Sequence, residues 1–350
     1  MKSTNTDILI IGAGLTGLTI AYLLRKQHQS VTVIEARARL GGRIYTKYPQ
    51  HLAPLEMGAT WFGKKHTALV NLLAELQIGS FEQELGDKAI YEAISTSPPQ
   101  LVTLPPNDNP SYRVQGGTST LIETLASYFD ESQIHLNEVV QSIEDKSNEV
   151  WVTTQNQVFK AQKVISTLPP NLLLTSIDFP INLPDAVSNI GKQTHTWMGE
   201  SIKIALTYND PFWRQHSSGT IVSNVGPIPE MYEHCNFENS RFALKGFLNG
   251  SYFSLTKSER LDLVLKQLEK YYGSKSRAFL TYEEAVWRNE AFTFVDYKTH
   301  VLPHQNNGHP IFRQPFMDGK FWIAGSETAE QFAGYMDGAV RSANFVVANL

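Results

Sequence analysis

The chain opens with a short apolar run at 7–11, a glycine-rich turn reading GAGLTG at 12–17, and a helical pattern to about residue 28 carried by Leu15, Leu18, Tyr22 and Leu23. A second apolar run follows at 31–34, so the opening predicts strand, turn, helix and strand. Farther on, Leu69, Leu72, Leu73 and Leu76 mark an amphipathic helix, and a Pro- and Asn-rich loop then leads to residue 112. Thr120 and Glu123 predict a capping box for a helix through Phe129. Runs near 134, 140–143 and 150–154 predict a small antiparallel sheet; 164–166 returns to the parallel one, and Pro169 and Pro170 end it. The stretch 193–289 is strand-rich, with runs at 202–208 and 242–248. Its helix is capped by Ser258, ended by Gly273, and packs through Leu261, Leu265, Leu268 and Tyr272. Last come a strand at 321–324, a loop at 325–334 and a helix at 335–349 with Ala339, Val340, Ala343 and Val347 on one face.

The first unit carries chemistry. Gly12 permits a tight turn, Gly14 lets a pyrophosphate approach the backbone, and Gly17 lets helix and strand pack closely. The helix beginning at Leu15 and Thr16 offers unpaired N–H groups to phosphate, and Glu35, at the end of the second strand, accepts hydrogen bonds from a ribose. Immediately afterwards comes ARARLGGR, in which Ala36 and Arg37 precede a second glycine pair, Gly41 and Gly42, closed by Arg43. A nicotinamide site has no need for this second loop. FAD does, because its ribityl chain and flavin extend beyond the pyrophosphate. The expected fold is α/β. A Rossmann-like FAD-binding domain takes 1–63, 113–192 and 290–350, and a discontinuous α+β substrate domain on a mixed or antiparallel sheet takes 64–112 and 193–289.

Composition narrows the setting. With 350 residues, 42% of them hydrophobic, the chain can give each of two domains a core. A net charge of -4 and the lack of dense Lys and Arg runs argue against nucleic acid as a partner. Cys235 stands alone, which excludes an intramolecular disulfide and a multi-thiolate metal site; no metal is expected, and a cytoplasmic location is. The apolar stretch 8–24 is interrupted by three glycines and two threonines and followed by Arg25, so it reads as strand, turn and helix and no membrane span is expected.

Eight segments carry a family resemblance: IIGAGLTGL at 10–18, EARARLGGRIYT at 35–46, LEMGATWFG at 55–63, GGTSTLIETLA at 116–126, KVISTLPP at 163–170, MGESIKIALTYNDPFW at 198–213, FRQP at 312–315 and FWIAGSETAEQFAGYMDGAVRSA at 321–343. Together they resemble the flavin-containing amine oxidases, especially the monoamine oxidases. The resemblance implies FAD held by the opening motifs together with Gly58, Ala59, Thr60, Trp61, Val140, Gly325, Ser326, Glu327, Gly334, Tyr335 and Met336. Ser326 and Glu327 would face its ribityl and pyrophosphate side, and the helix starting at Met336 would stabilise negative charge on the flavin. It also implies that Lys203 holds a water beside the flavin and that Tyr297 and Tyr335 flank the substrate amine as an aromatic cage. Trp61 and residues 114–117 would line the cavity.

The implied reaction is hydride transfer from the carbon bearing the amine to flavin N5, imine hydrolysis, and reoxidation by oxygen with release of hydrogen peroxide. The small-molecule partners are therefore an amine and oxygen. Two readings compete: an FAD-dependent desaturase or protoporphyrinogen-type oxidase, and an FAD-binding protein without catalysis. The chain departs from the mitochondrial monoamine oxidases at Asp296, where those enzymes carry the flavin-linked cysteine, so noncovalent FAD is expected. Phe294 and Val295 replace the glycines before it, and the insertion at 64–112 is shorter.

Overall fold

Two large sheets organise the chain, whose computed structural model describes residues 2–181, 183–216 and 218–350. The first sheet has a parallel core in the order Phe321–Ile323, Gln157–Ser166, Lys2–Ile11, Val31–Ile34 and Ile134–His135. The N-terminal half of Gln157–Ser166 instead pairs antiparallel with Val150–Thr154, which pairs with Val140–Asp145. The apolar end of the first strand is buried on both faces, as a parallel sheet requires. Ile8 and Ile10 pack with the helices Leu15–Lys26 and Met336–Asn349, while Leu9 and Ile11 pack on the other side with Phe159, Phe312 and Leu173. Gly17 allows that helix to lie so close: a Cβ there would overlap the carbonyl oxygen of Gly12, itself at φ +103°.

The second sheet runs Thr281–Val286, Ile202–Tyr208, Phe242–Leu248, Glu230–Glu233, Ile221–Ser223, Lys88–Glu92 and Gln100–Thr103. It is mixed, since Ile221–Ser223 and Lys88–Glu92 are parallel and the other neighbours antiparallel. Alternation splits its side chains. Ile202, Ile204, Leu206 and Leu244 pack under the helix Lys257–Tyr272, and Lys203, Ala205, Lys245 and Phe247 face the opposite way.

Two caps differ from expectation. Thr256, not Ser258, caps Lys257–Tyr272; its hydroxyl oxygen accepts from the Glu259 N–H and Glu259 answers to its backbone, while Gly273 ends the helix as expected. The helix expected from Thr120 is Ser119–Ala126, preceded by Thr118, and has no side-chain cap. Thr120 falls inside the first turn, its N–H going to the Gly117 carbonyl at 3.1 Å, while the Thr118 N–H goes to the buried Glu56 carboxylate at 2.5 Å. Among the described residues no helix is long and apolar enough to cross a membrane.

Candidate FAD and amine site

A cavity of about 830 Å³ lies between the two sheets. Its nucleotide end is lined by Gly12, Gly14, Leu15, Thr16, Glu35, Ala36, Arg37 and Val140. Gly14 precedes the helix Leu15–Lys26 without any side-chain cap, leaving the first N–H groups to the cavity. Glu35 is buried, with one oxygen accepting from Ala13 N–H and the other from Arg37 N–H, both at 3.0 Å. Arg37 is braced in turn by Glu290 at 3.1 Å and Thr293 at 2.7 Å.

Gly42, Arg43, Gly58, Ala59, Thr60, Trp61, Ser326, Gly334, Tyr335 and Met336 line the remainder, where the helix Met336–Asn349 also begins without a side-chain cap. Arg43 meets the fully buried Glu327 carboxylate through two hydrogen bonds and donates to Ser326 Oγ at 2.9 Å. Burial alone would raise Glu327, but Arg43 holds it below the usual carboxylate range. Two uncapped helix N-termini on one cavity suit a dinucleotide: the first would receive the pyrophosphate and the second would favour negative charge on the flavin.

The second sheet supplies the floor. Lys203, Phe247 and Glu230 lie directly opposite one another on three adjacent strands and all line the cavity. Residues opposite in a ladder share a face, so the three side chains form a row two strand spacings long, about 10 Å. Lys203 is buried and its Nζ donates to the Gly58 carbonyl; burial pulls its ammonium down to about 8, and Glu56 opposes the shift.

Several expected residues fall outside the lining. Gly17 acts in packing, and Gly325 and Glu327 are buried next to Ser326, with the Glu327 carboxylate engaged by Arg43. Tyr297 does not line the cavity either. Its hydroxyl accepts from Thr196 N–H at 2.8 Å, and its ring stacks on His195 at 6.2 Å. The buried Phe294 packs edge-on against it at 5.5 Å, and the exposed Asp296 pairs with Arg288. Trp197 packs beside Tyr335, with ring centroids 5.8 Å apart, and both line the cavity. Val114, Gly116 and Gly117, expected in the main cavity, instead line a smaller one of about 350 Å³ with Arg113, His234 and Cys235.

Sequence reasoning passed over Trp197, Phe247 and Glu230. Trp197 had a signal, six residues before Lys203 in HTWMGESIK. Glu230 had none, because its place depends on a strand pairing that no local pattern encodes.

The fold and cavity define a flavin-dinucleotide protein of two interleaved sheets. A family model for flavin containing amine oxidoreductases matches residues 92–350, and one for NAD(P)-binding Rossmann-like domains matches 10–76. The chain belongs to the flavin-containing amine oxidoreductase family; it is an FAD-dependent amine oxidase by that membership. Amine oxidase [flavin-containing] B of Sus scrofa is 24% identical over 97% of this chain and 85% of its own length. A probable flavin-containing monoamine oxidase A of Dictyostelium discoideum is 24% identical, covering 97% and 96%. Among solved structures, a putrescine oxidase bound to putrescine superposes with TM-score 0.85 at 23% identity, covering 99% of both chains. Cyclohexylamine oxidase from Brevibacterium oxydans gives 0.85 at 19%, covering 98% of both.

Proposed function

We propose that this enzyme oxidises an amine that carries a second cationic group, such as a diamine or polyamine. The observation behind this is the row Lys203, Phe247 and Glu230. Of the acidic residues that line the cavity, Glu35 and Glu138 belong to the nucleotide end, whereas Glu230 stands on the floor at the far end from Lys203. Its carboxylate accepts from Tyr232 at 3.1 Å and keeps lone pairs for a ligand ammonium. A substrate with its reacting carbon near Lys203 and its alkyl chain over Phe247 would bring a distal ammonium to Glu230. The putrescine-bound neighbour is consistent with such a substrate.

When bound, FAD supplies a two-electron acceptor, so that amine, oxygen and water become a carbonyl compound, ammonia and hydrogen peroxide. The chain's own groups position the reactants. Tyr335 and Trp197 present ring faces that orient the reacting amine and keep its lone pair available. Lys203, on the cavity floor, would hold a water where an imine is hydrolysed. FAD is bound without a covalent link: Cys235 is the chain's one cysteine, and it is buried beside the smaller cavity. The division into an FAD-binding domain at 1–63, 113–192 and 290–350 and a substrate domain at 64–112 and 193–289 is proposed alongside. The test is steady-state oxidation of chain-length-matched monoamines and diamines by wild type and Glu230→Gln. Loss of diamine preference in the variant, with monoamine turnover kept, supports the reading; equal use of both by wild type refutes it.

A further inference from the structure

Diagonal to Lys203 on the neighbouring strand stands a second buried lysine. Lys245 pairs with Ala205 in the ladder and so shares the cavity-side face with Lys203. Its Nζ donates to Thr60 Oγ1 and stands 4.0 Å from the centroid of the Trp61 ring, while Lys203 Nζ is 5.8 Å from the same centroid. The Thr60 hydroxyl donates onward to the Gly58 carbonyl at 3.0 Å, the acceptor that Lys203 also uses. Both amines are thereby tied to one turn and stand near one indole ring.

Their surroundings hold more base than acid. Glu56 is the one carboxylate acting on both, and it already accepts from Thr118 N–H at 2.5 Å and Thr46 Oγ1 at 2.9 Å. Arg113 and His234, joined at 3.0 Å, also stand close to the pair, and Tyr232 lies opposite Lys245 in the sheet. Two ammonium ions side by side in so dry a place repel strongly, whereas a neutral amine offers its lone pair to a neighbouring N–H.

We infer that Lys245 is a positioning residue for Lys203: the two amines carry one proton between them, and neutral Lys245 accepts from the Lys203 ammonium, fixing its charge and direction at the cavity floor. Burial agrees with the assignment, since it lowers both groups and lowers Lys245 further, with Lys203 adding to the effect. The inference rests on the functional reading only in that Lys203 faces the amine.

The test is a pH titration of lysine ε-carbon resonances, by carbon-13 NMR, on the full-length FAD-loaded protein and its variants. Lys245→Met should lower the Lys203 midpoint by about one pH unit, the equivalent of one hydrogen bond. Lys245→Gln, which keeps an acceptor, should lower it less, and Lys203→Met should raise the Lys245 midpoint. The pH profile of amine turnover should move with the Lys203 midpoint. An unchanged Lys203 midpoint in Lys245→Met makes Lys245 a bystander, and a raised one makes it the charged partner; either overturns the inference. Lysines that titrate as described in a protein that oxidises no amine would refute the function and leave the pair standing.

Discussion

Arg43 and Glu327 form one clamp around the peptide of Trp197. The guanidinium meets the carboxylate at 2.5 and 2.8 Å; Arg43 also donates to the Trp197 carbonyl, and the Trp197 N–H donates to Glu327, each at 3.3 Å. One ion pair joining the second glycine loop to the C-terminal motif thus sets the wall opposite Tyr335. The two segments lie at opposite ends of the sequence, so the site forms only in the folded chain.

Breaking this pair should be costly. Glu327→Ala leaves the Arg43 guanidinium short of its partner in a buried place and should destabilise the protein by about 3 kcal/mol. Arg43→Lys should not restore stability, because an ammonium cannot make the two-pronged contact. Denaturant unfolding and FAD content measure both effects. Since Glu327 is held below its ordinary range, its contribution is complete at neutral pH and fades as pH falls through that depressed value. The gap between wild type and Glu327→Ala should therefore narrow in acid.

Lys203 has the opposite sign. Its ammonium is disfavoured by burial, so between about 8 and the ordinary lysine range the unfolded chain binds more protons and stability rises with pH. Lys203→Met should be more stable than wild type at pH 7, on the order of 2 kcal/mol, with the difference shrinking as pH rises from about 8 through the ordinary lysine range. The same variant, loaded with FAD, should lose most amine turnover. Thermal unfolding across pH, paired with an oxygen-consumption assay, reads both.

Trp197 lines the cavity beside Tyr335, and Tyr297 does not. Trp197→Ala should raise KM for the amine by roughly tenfold, the worth of one oriented aromatic wall. Tyr297→Phe should leave KM within about twofold, since it removes only a hydroxyl bonded to Thr196 outside the cavity. A large effect from Tyr297→Phe alone would return that residue to the cage.

Acid precipitation should release the yellow flavin into the supernatant, because no thiol lines the main cavity. A yellow pellet would show a covalent attachment through some other group.

What was legible in the sequence follows from what is local. The strand, glycine turn, helix and Glu35 form a contiguous unit whose spacing carries its own explanation, and the structure has each in place. Tyr297 was legible only through the family pattern, and its packing against Phe294 and its bond to Thr196 N–H were not. The Thr120 box failed because the helix starts at Ser119, which puts Thr120 inside the first turn with its N–H on the Gly117 carbonyl. Lys245 and Glu230 became visible only when three strands paired in register, a long-range outcome that no window of sequence contains.

The most direct test of the central claim is the absorbance spectrum of the purified FAD-bound protein under anaerobic conditions, before and after adding a diamine and then a matched monoamine. Rapid bleaching of the flavin band by the diamine, with slower or weaker bleaching by the monoamine, is the predicted result. A flavin band that no amine bleaches would contradict it.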